Sequence, residues 1–421
     1  MEETNLIDTL LALVRDNAAT SAVLGSIVSV IAGSGIFSFL RRPKKVSQGD
    51  AIYFADIKLL SPPMARPAYS DRMSYVLAEM SSLAYYEFEG SGGTIRNAAK
   101  NFLKMAFDDA EEIRKWLETF ADDLLIKGVD SEDFLRKVLE KSGFNLLGTV
   151  NVAETQAFVC KRVAENEAPY VVVAYRGTEK KVDDWLTDAK AVPTEDGDTK
   201  IHTGFLEALK VETDSQGRTA LKCVEEILDD SKAKDDSDNP LPLFITGHSL
   251  GGALALLTAK EVALDINGAC YTYGAPRVAN YEYFVGMKTP VFRVVNSADI
   301  VPRVPPGAIM GLIVKLVQGI SWVTGFMPVV SKLLDKFEAW LDKLNGYRHY
   351  GDQRYLTDVK SGRFETVKLL SNPPAIDRIM WMGQQIGVSL FAPVKSHGMA
   401  IYRKKLNYIA NSRNRNASIE I

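Results

Sequence analysis

The sequence predicts an α/β protein with a mostly parallel central sheet flanked by helices, and three observations carry that prediction. Two short apolar runs, residues 170–175 and 241–246, have the length and aliphatic content of strands buried on both faces. The second leads through Gly247-His248-Ser249-Leu250-Gly251-Gly252 directly into residues 253–260, a run of strong helix formers. A further apolar run, residues 291–296, reads as another strand, with residues 297–302 as its exit loop.

The N-terminus is read as a membrane anchor spanning residues 1–45. Residues 17–40 carry no charge, and Arg41-Arg42-Pro43-Lys44-Lys45 follow at once. About 24 uncharged residues make a helix of roughly 36 Å, enough to cross a bilayer, which predicts a transmembrane helix over about 18–40. The acidic start, Met1-Glu2-Glu3, and the basic residues after the apolar part speak against a cleaved signal peptide. The same asymmetry predicts a single pass with the remainder of the chain in the cytoplasm, at a bacterial inner membrane. The competing reading is a buried or amphipathic soluble helix. Ser21, Gly25, Ser29 and Gly33 recur every fourth residue, a small-residue stripe that would let two copies pack closely as a homodimer.

Residues 46–421 are read as one globular domain. From 71 to 144 the apolar positions repeat at helical spacing, as in Met73, Val76, Leu77 and Met80, and again in Ile113, Trp116, Leu117 and Phe120. Core packing explains both stripes. The 170–175 strand ends at Arg176-Gly177-Thr178, and Asp184, Trp185 and Asp188 are assigned to a short helix buttressing that exit. Residues 232–240 form a charged surface loop, and 411–421 a polar, frayed tail.

The chemistry centres on Ser249. A serine between glycines, on a turn that joins a buried strand to a helix, is the nucleophile elbow of an α/β-hydrolase. Side chains at Gly247 and Gly251 would collide with the neighbouring strand and helix. Leu250, first in the helix, offers its N–H where an oxyanion would form. The exit of the 170–175 strand offers a second donor, the Thr178 N–H. Four histidines are available as the base. His248 sits inside the elbow and is assigned to packing; His202 and His349 are assigned structural roles. His397 lies in a late loop ahead of a helical stretch, as the order serine, aspartate, histidine requires. Asp299, in the exit loop of the 291–296 strand, is placed to orient that imidazole. Asp265, at the end of the elbow helix, is poorly placed, while Asp352 and Asp358, flanking the next strand, remain open as alternatives. Arg176 is assigned a structural ion pair.

Taken in order, the segments Ala174-Tyr175-Arg176-Gly177-Thr178, Asp184-Trp185, His202-Thr203-Gly204-Phe205, Gly247-His248-Ser249-Leu250-Gly251-Gly252, Tyr273-Gly274-Ala275-Pro276-Arg277, Asn296-Ser297-Ala298-Asp299-Ile300-Val301-Pro302 and His397 resemble the class 3 (fungal-type) lipases. The resemblance runs from about residue 70 to the C-terminus. It implies an α/β-hydrolase fold and esterase or lipase activity on acylglycerols or phospholipids. It also implies an acyl-enzyme on Ser249 with no metal or other cofactor, and Thr178 and Leu250 as the oxyanion pair.

Between Asp299 and His397 the chain departs from that pattern with a helical insertion, residues 306–346. An amphipathic stretch over 331–345 places Leu333, Leu334, Phe337, Trp340, Leu341 and Leu344 on one face. The functional reading is a lid or membrane-docking element; the plain one is an extra helical cover. Lys315 and Gln318 argue against a second membrane span. Fifty basic and 53 acidic residues leave a net charge of −3, and no basic cluster is interleaved with aromatics, so nucleic acid is excluded as a partner. Three cysteines, Cys160, Cys223 and Cys270, suit a reducing compartment. The expected function is a membrane-anchored serine ester hydrolase acting on lipid. The alternatives are a regulated phospholipase used as a toxin or defence effector, and a catalytically silent hydrolase fold serving as a membrane scaffold.

Overall fold

The structure, a computed structural model, describes residues 53–54, 68–85, 131–163, 167–177, 193–262, 267–303, 346–359, 364–374, 377–378, 381 and 396–417. The expected membrane helix over 18–40, its small-residue stripe, the second helical stripe around Ile113, the Asp184–Trp185 segment, Asp265 and residues 306–345 of the expected insertion lie outside these residues. Among the described residues no helix is long and apolar enough to cross a membrane.

An eight-stranded sheet organises the chain. Its strands are β1 (Phe144–Val152), β2 (Thr155–Arg162), β3 (Val171–Tyr175), β6 (Leu243–His248), β7 (Gly268–Tyr273), β8 (Val291–Asn296), β9 (Asp352–Leu356) and β10 (Leu369–Ser371), in that spatial order. The five strands β3, β6, β7, β8 and β9 pair in parallel. Antiparallel strands close both ends, β1 and β2 on one side and β10 on the other. A separate hairpin, β4 (Pro193–Asp196) with β5 (Thr199–His202), stands off the main sheet.

Helices cover both faces, so strand side chains alternate between two cores. In β3, Val172 and Ala174 join one core and Val171, Val173 and Tyr175 the other. The first core receives α1 (Asp71–Leu83), α2 (Ser131–Lys141) and α6 (Met399–Ala417). The second receives α3 (Thr203–Lys210), α4 (Ala220–Asp229) and α5 (Leu250–Val262). Local sequence explains where several of these begin. Ser70 caps α1, its Oγ accepting from the Met73 N–H at 3.2 Å, and Asp71 adds charge to the first turn. Thr219 caps α4 in the same way through Lys222. The layered arrangement, with a nucleophile turn between β6 and α5, is that of an α/β-hydrolase.

Two expectations need correction. The tail read as frayed from 411 continues α6 to Ala417, because Tyr402, Leu406, Ile409 and Ala410 bury one face of that helix against the sheet. Arg413 then reaches Asp71 at 2.7 Å. The β1–β2 hairpin was not expected at all. Its polar positions, among them Asn145, Thr149 and Asn151, break the apolar runs that mark the central strands. All three cysteines are buried and free.

Candidate active site

Strand β6 and helix α5 meet at Ser249, which takes a left-handed backbone conformation with φ 58°. A non-glycine residue tolerates that strain only where its surroundings leave no other path. Here the two glycines make room. A Cβ on Gly247 would lie 2.2 Å from the Gly251 carbonyl group, and one on Gly251 would lie 2.4 Å from the Tyr175 oxygen. The elbow therefore packs directly on the end of β3, as the parallel register pairing Tyr175 with Gly247 requires. The Ser249 N–H donates to the Tyr273 carbonyl at 2.9 Å, and Gly252 N–H donates back to the Ser249 carbonyl at 3.0 Å.

The late loop carries His397 to this corner. Its Nε2 lies 3.0 Å from Ser249 Oγ, and its Nδ1 lies 3.0 and 3.1 Å from the two carboxylate oxygens of Asp299. Asp299 is fully buried, while the histidine side chain keeps 17% exposure. The three expected residues are thus within hydrogen-bond reach across 148 positions of sequence. A serine–histidine–carboxylate line of this kind suits nucleophilic acyl transfer: the base takes the hydroxyl proton and the carboxylate fixes the ring.

Asp299 is held from three sides. The Val301 N–H donates to Oδ1 at 3.0 Å, and the Tyr402 hydroxyl donates to Oδ2 at 2.5 Å. Burial and the neighbouring Asp299 charge hold the Tyr402 hydroxyl well above its usual pKa, so it stays a donor. Asp352 and Asp358 sit elsewhere, both side chains more than half exposed, with Asp358 facing Lys405 at 3.8 Å. They drop out as alternatives to Asp299.

His248 does more than the packing expected of it. Its ring stacks on His397 with centroids 4.5 Å apart, and its Nε2 lies 2.7 Å from the His397 carbonyl oxygen. That oxygen only accepts, so Nε2 carries the proton and Nδ1 accepts from the Tyr85 hydroxyl at 2.7 Å. Burial, reinforced by the nearby His397, holds the His248 pKa well below 6.5 and keeps the ring neutral in this role. Neither Tyr85 nor Tyr402 was singled out from the sequence. The signal available for Tyr402 was its position five residues past His397, on the buried face of α6.

The other residues take structural places. His349 lies 2.5 Å from the Pro302 carbonyl oxygen, and burial with the charges of Arg293 and Arg277 holds its pKa well below 6.5. His202 ends β5 and stacks on Phe205 at 3.9 Å. Arg176 donates to the Gln156 side-chain oxygen. Leu250 opens α5 beside Ser249, where the first amides of a helix lack intrahelical acceptors. Thr178 lies outside the described residues. Among the described residues no three histidine, cysteine or acidic side chains are grouped to hold a metal ion.

The chain is similar to known proteins. The family model for "Lipase (class 3)" matches residues 172–308, a stretch that holds the elbow and Asp299. The chain is 27% identical over 363 residues to a chloroplastic phospholipase A1-Igamma2 of Arabidopsis thaliana, covering 72% of this chain and 65% of that one. It is 33% identical over 169 residues to a lipase of Rhizomucor miehei, covering 37% of this chain and 42% of the relative. It is 32% identical over 195 residues to the triacylglycerol lipase OBL1 of Arabidopsis thaliana, covering 36% and 37%. The chain thus spans less than two thirds of the length of each of these relatives. Residues 172–308, which hold the elbow and Asp299, are thus the part of this chain that matches the class 3 lipase family.

Proposed function

We propose that this protein is a serine ester hydrolase of lipase or phospholipase type that cleaves acyl esters of glycerolipids. The observation that carries the reading is the unbroken line from Ser249 Oγ through His397 to the buried Asp299 carboxylate, at 3.0 Å per step. In this reading His397 Nε2 removes the Ser249 proton as Oγ attacks the ester carbonyl. The N–H groups of Leu250 and Thr178 hold the oxyanion; one such donor is worth about a hundred- to a thousandfold in turnover. The ester C–O bond then breaks, and His397 returns its proton to the departing alcohol. Water repeats the sequence on the acyl-enzyme and releases the fatty acid. Asp299 keeps the imidazole in the required tautomer and stabilises its charged form. The relatives, named as a phospholipase A1, a lipase and a triacylglycerol lipase, support glycerolipid esters as the substrate class.

The same reading places the enzyme on a membrane through residues 18–40, its catalytic domain on the cytoplasmic side, with residues 306–346 as a lid over the lipid. The support is the charge-free stretch followed by Arg41-Arg42-Pro43-Lys44-Lys45. Pairing of two copies through Ser21, Gly25, Ser29 and Gly33 belongs to the same proposal. Crosslinking of the full chain before and after Gly25→Leu and Gly33→Leu tests it, since an unchanged oligomer rules the stripe out.

The catalytic claim is tested with a fluorophosphonate probe and with vesicles of phosphatidylcholine or emulsified triacylglycerol. The expected result is labelling of the wild-type protein and release of fatty acid from at least one of these lipids. Ser249→Ala is expected to lose both, with turnover down more than about a thousandfold. Folded wild-type protein that takes no label and frees no acid would instead be a silent scaffold.

A further inference from the structure

We propose that Asn296 and Lys405 act as a pair of positioning residues for His397: a buried ammonium orients the Asn296 amide, and that amide grips the chain immediately before the base. The proposal rests on the reading of Ser249, His397 and Asp299 as the reacting groups.

Asn296 is the last residue of β8 and almost wholly buried. Each of its polar groups is used. Nδ2 donates to the Ser396 carbonyl at 2.6 Å, Oδ1 accepts from Lys405 Nζ at 2.6 Å, and the backbone N–H donates to Tyr402 Oη at 2.9 Å. One residue therefore ties the loop of the base to the tyrosine that holds the carboxylate. Lys405 stands three positions after Tyr402 on α6, and its ammonium also donates to the Thr357 carbonyl at 2.8 Å.

An amide alone does not fix this arrangement. Its oxygen and nitrogen are nearly equal in size, so a half-turn about χ2 fits the same space while presenting the oxygen to the Ser396 carbonyl. Lys405 breaks that symmetry, since an ammonium only donates. The Asn296 oxygen must face it, and the NH2 group is left facing Ser396. Packing alone does not account for a lysine here. Its side chain is 1% exposed, and the nearest counter-charge, Asp358 at 3.8 Å, is itself half exposed. Burial pushes the ammonium down to about 8. A methionine would fill the same space without the desolvation cost.

The test uses the full chain with Asn296→Asp and Lys405→Met, and Lys404→Met as the exposed control. Asn296→Asp preserves shape and the acceptor for Lys405, but sets a carboxylate oxygen against the Ser396 carbonyl. It is expected to lower kcat on p-nitrophenyl butyrate about ten- to a hundredfold, the scale of a misplaced reacting group. KM is expected to stay within twofold. In protein carrying 15N-histidine, the His397 ring signals are expected to move while those of His202 and His349 stay. Lys405→Met is expected to shift kcat and the His397 signals in the same direction; if it does not fold, Asn296→Asp alone decides. Wild-type kcat and unmoved His397 signals in Asn296→Asp would overturn the proposal, as would an equal loss in Lys404→Met. Should the wild-type protein hydrolyse no ester, the functional reading fails, and the His397 signals still decide whether Asn296 holds the loop.

Discussion

Replacing Gly274 with alanine probes the geometry of the candidate triad without substituting any of its members. Gly274 follows β7 with φ 58°, and its N–H donates to Val294 at 3.0 Å. A Cβ built there would lie 2.7 Å from Asp299 Oδ2 and 3.1 Å from both His397 Nδ1 and Tyr402 Oη. Ordinary contact begins near 3.4 Å, so the carboxylate would have to retreat by about 0.7 Å from a site where it is fully enclosed. A displacement of about 1 Å in a catalytic array costs on the order of a hundredfold, which sets the expected fall in kcat at about ten- to a hundredfold. KM for a short soluble ester is expected to change little, because the methyl meets the histidine–carboxylate pair. Alanine at positive φ adds a folding cost of about 1–2 kcal/mol. Steady-state kinetics and urea unfolding on the same preparations read both numbers. A variant with kcat within twofold of wild type would refute the inferred crowding, whatever its stability.

Two further outcomes follow from buried groups. Tyr402→Phe removes the 2.5 Å bond to Asp299 and leaves the Asn296 N–H without its acceptor, so a loss of about 2–4 kcal/mol is expected from denaturant midpoints; a change below about 0.5 kcal/mol would contradict it. Burial holds the imidazoles of His248 and His349 well below 6.5 in the folded protein. As pH falls through about 6.5 the unfolded chain takes up protons that the folded chain refuses, so folding stability drops on acidification. Each ring contributes at most about 1.4 kcal/mol per pH unit, and His349→Gln is expected to reduce the slope between pH 6.5 and 5. A flat profile over that window would show that the folded and unfolded chains take up protons alike, against the expected effect of burial on these two rings.

Much of the site was readable from local pattern. A glycine-flanked serine at a strand-to-helix turn dictates its own backbone path, since only hydrogen at 247 and 251 lets the segments touch. Chain order then selected His397 and favoured Asp299, and the structure removed Asp352 and Asp358, whose side chains lie exposed elsewhere. The structure was needed to turn His248 from a packing residue into a support of the base, because its partners, Tyr85 and the His397 carbonyl, lie 163 and 149 positions away. It was needed also for α6. The polar sequence after 411 looks like an untethered tail until Arg403 is seen clasping the buried Glu79 at 2.6 Å and Arg413 meeting Asp71.

The sequence by itself determined the α/β class, the central strands, the elbow, and Ser249 and His397 as candidate nucleophile and base, since each depends on side-chain periodicity, on glycine at a crowded turn, or on order along the chain. Only the tertiary structure decided what surrounds them: the hairpin at the sheet edge, the grip of Tyr402 and Val301 on Asp299, and the Lys405–Asn296–Ser396 chain behind His397. These are hydrogen bonds, several of them between residues about a hundred or more positions apart. Their existence depends on distances of a few tenths of an ångström that no local pattern encodes and that appear only once both faces of the sheet are packed.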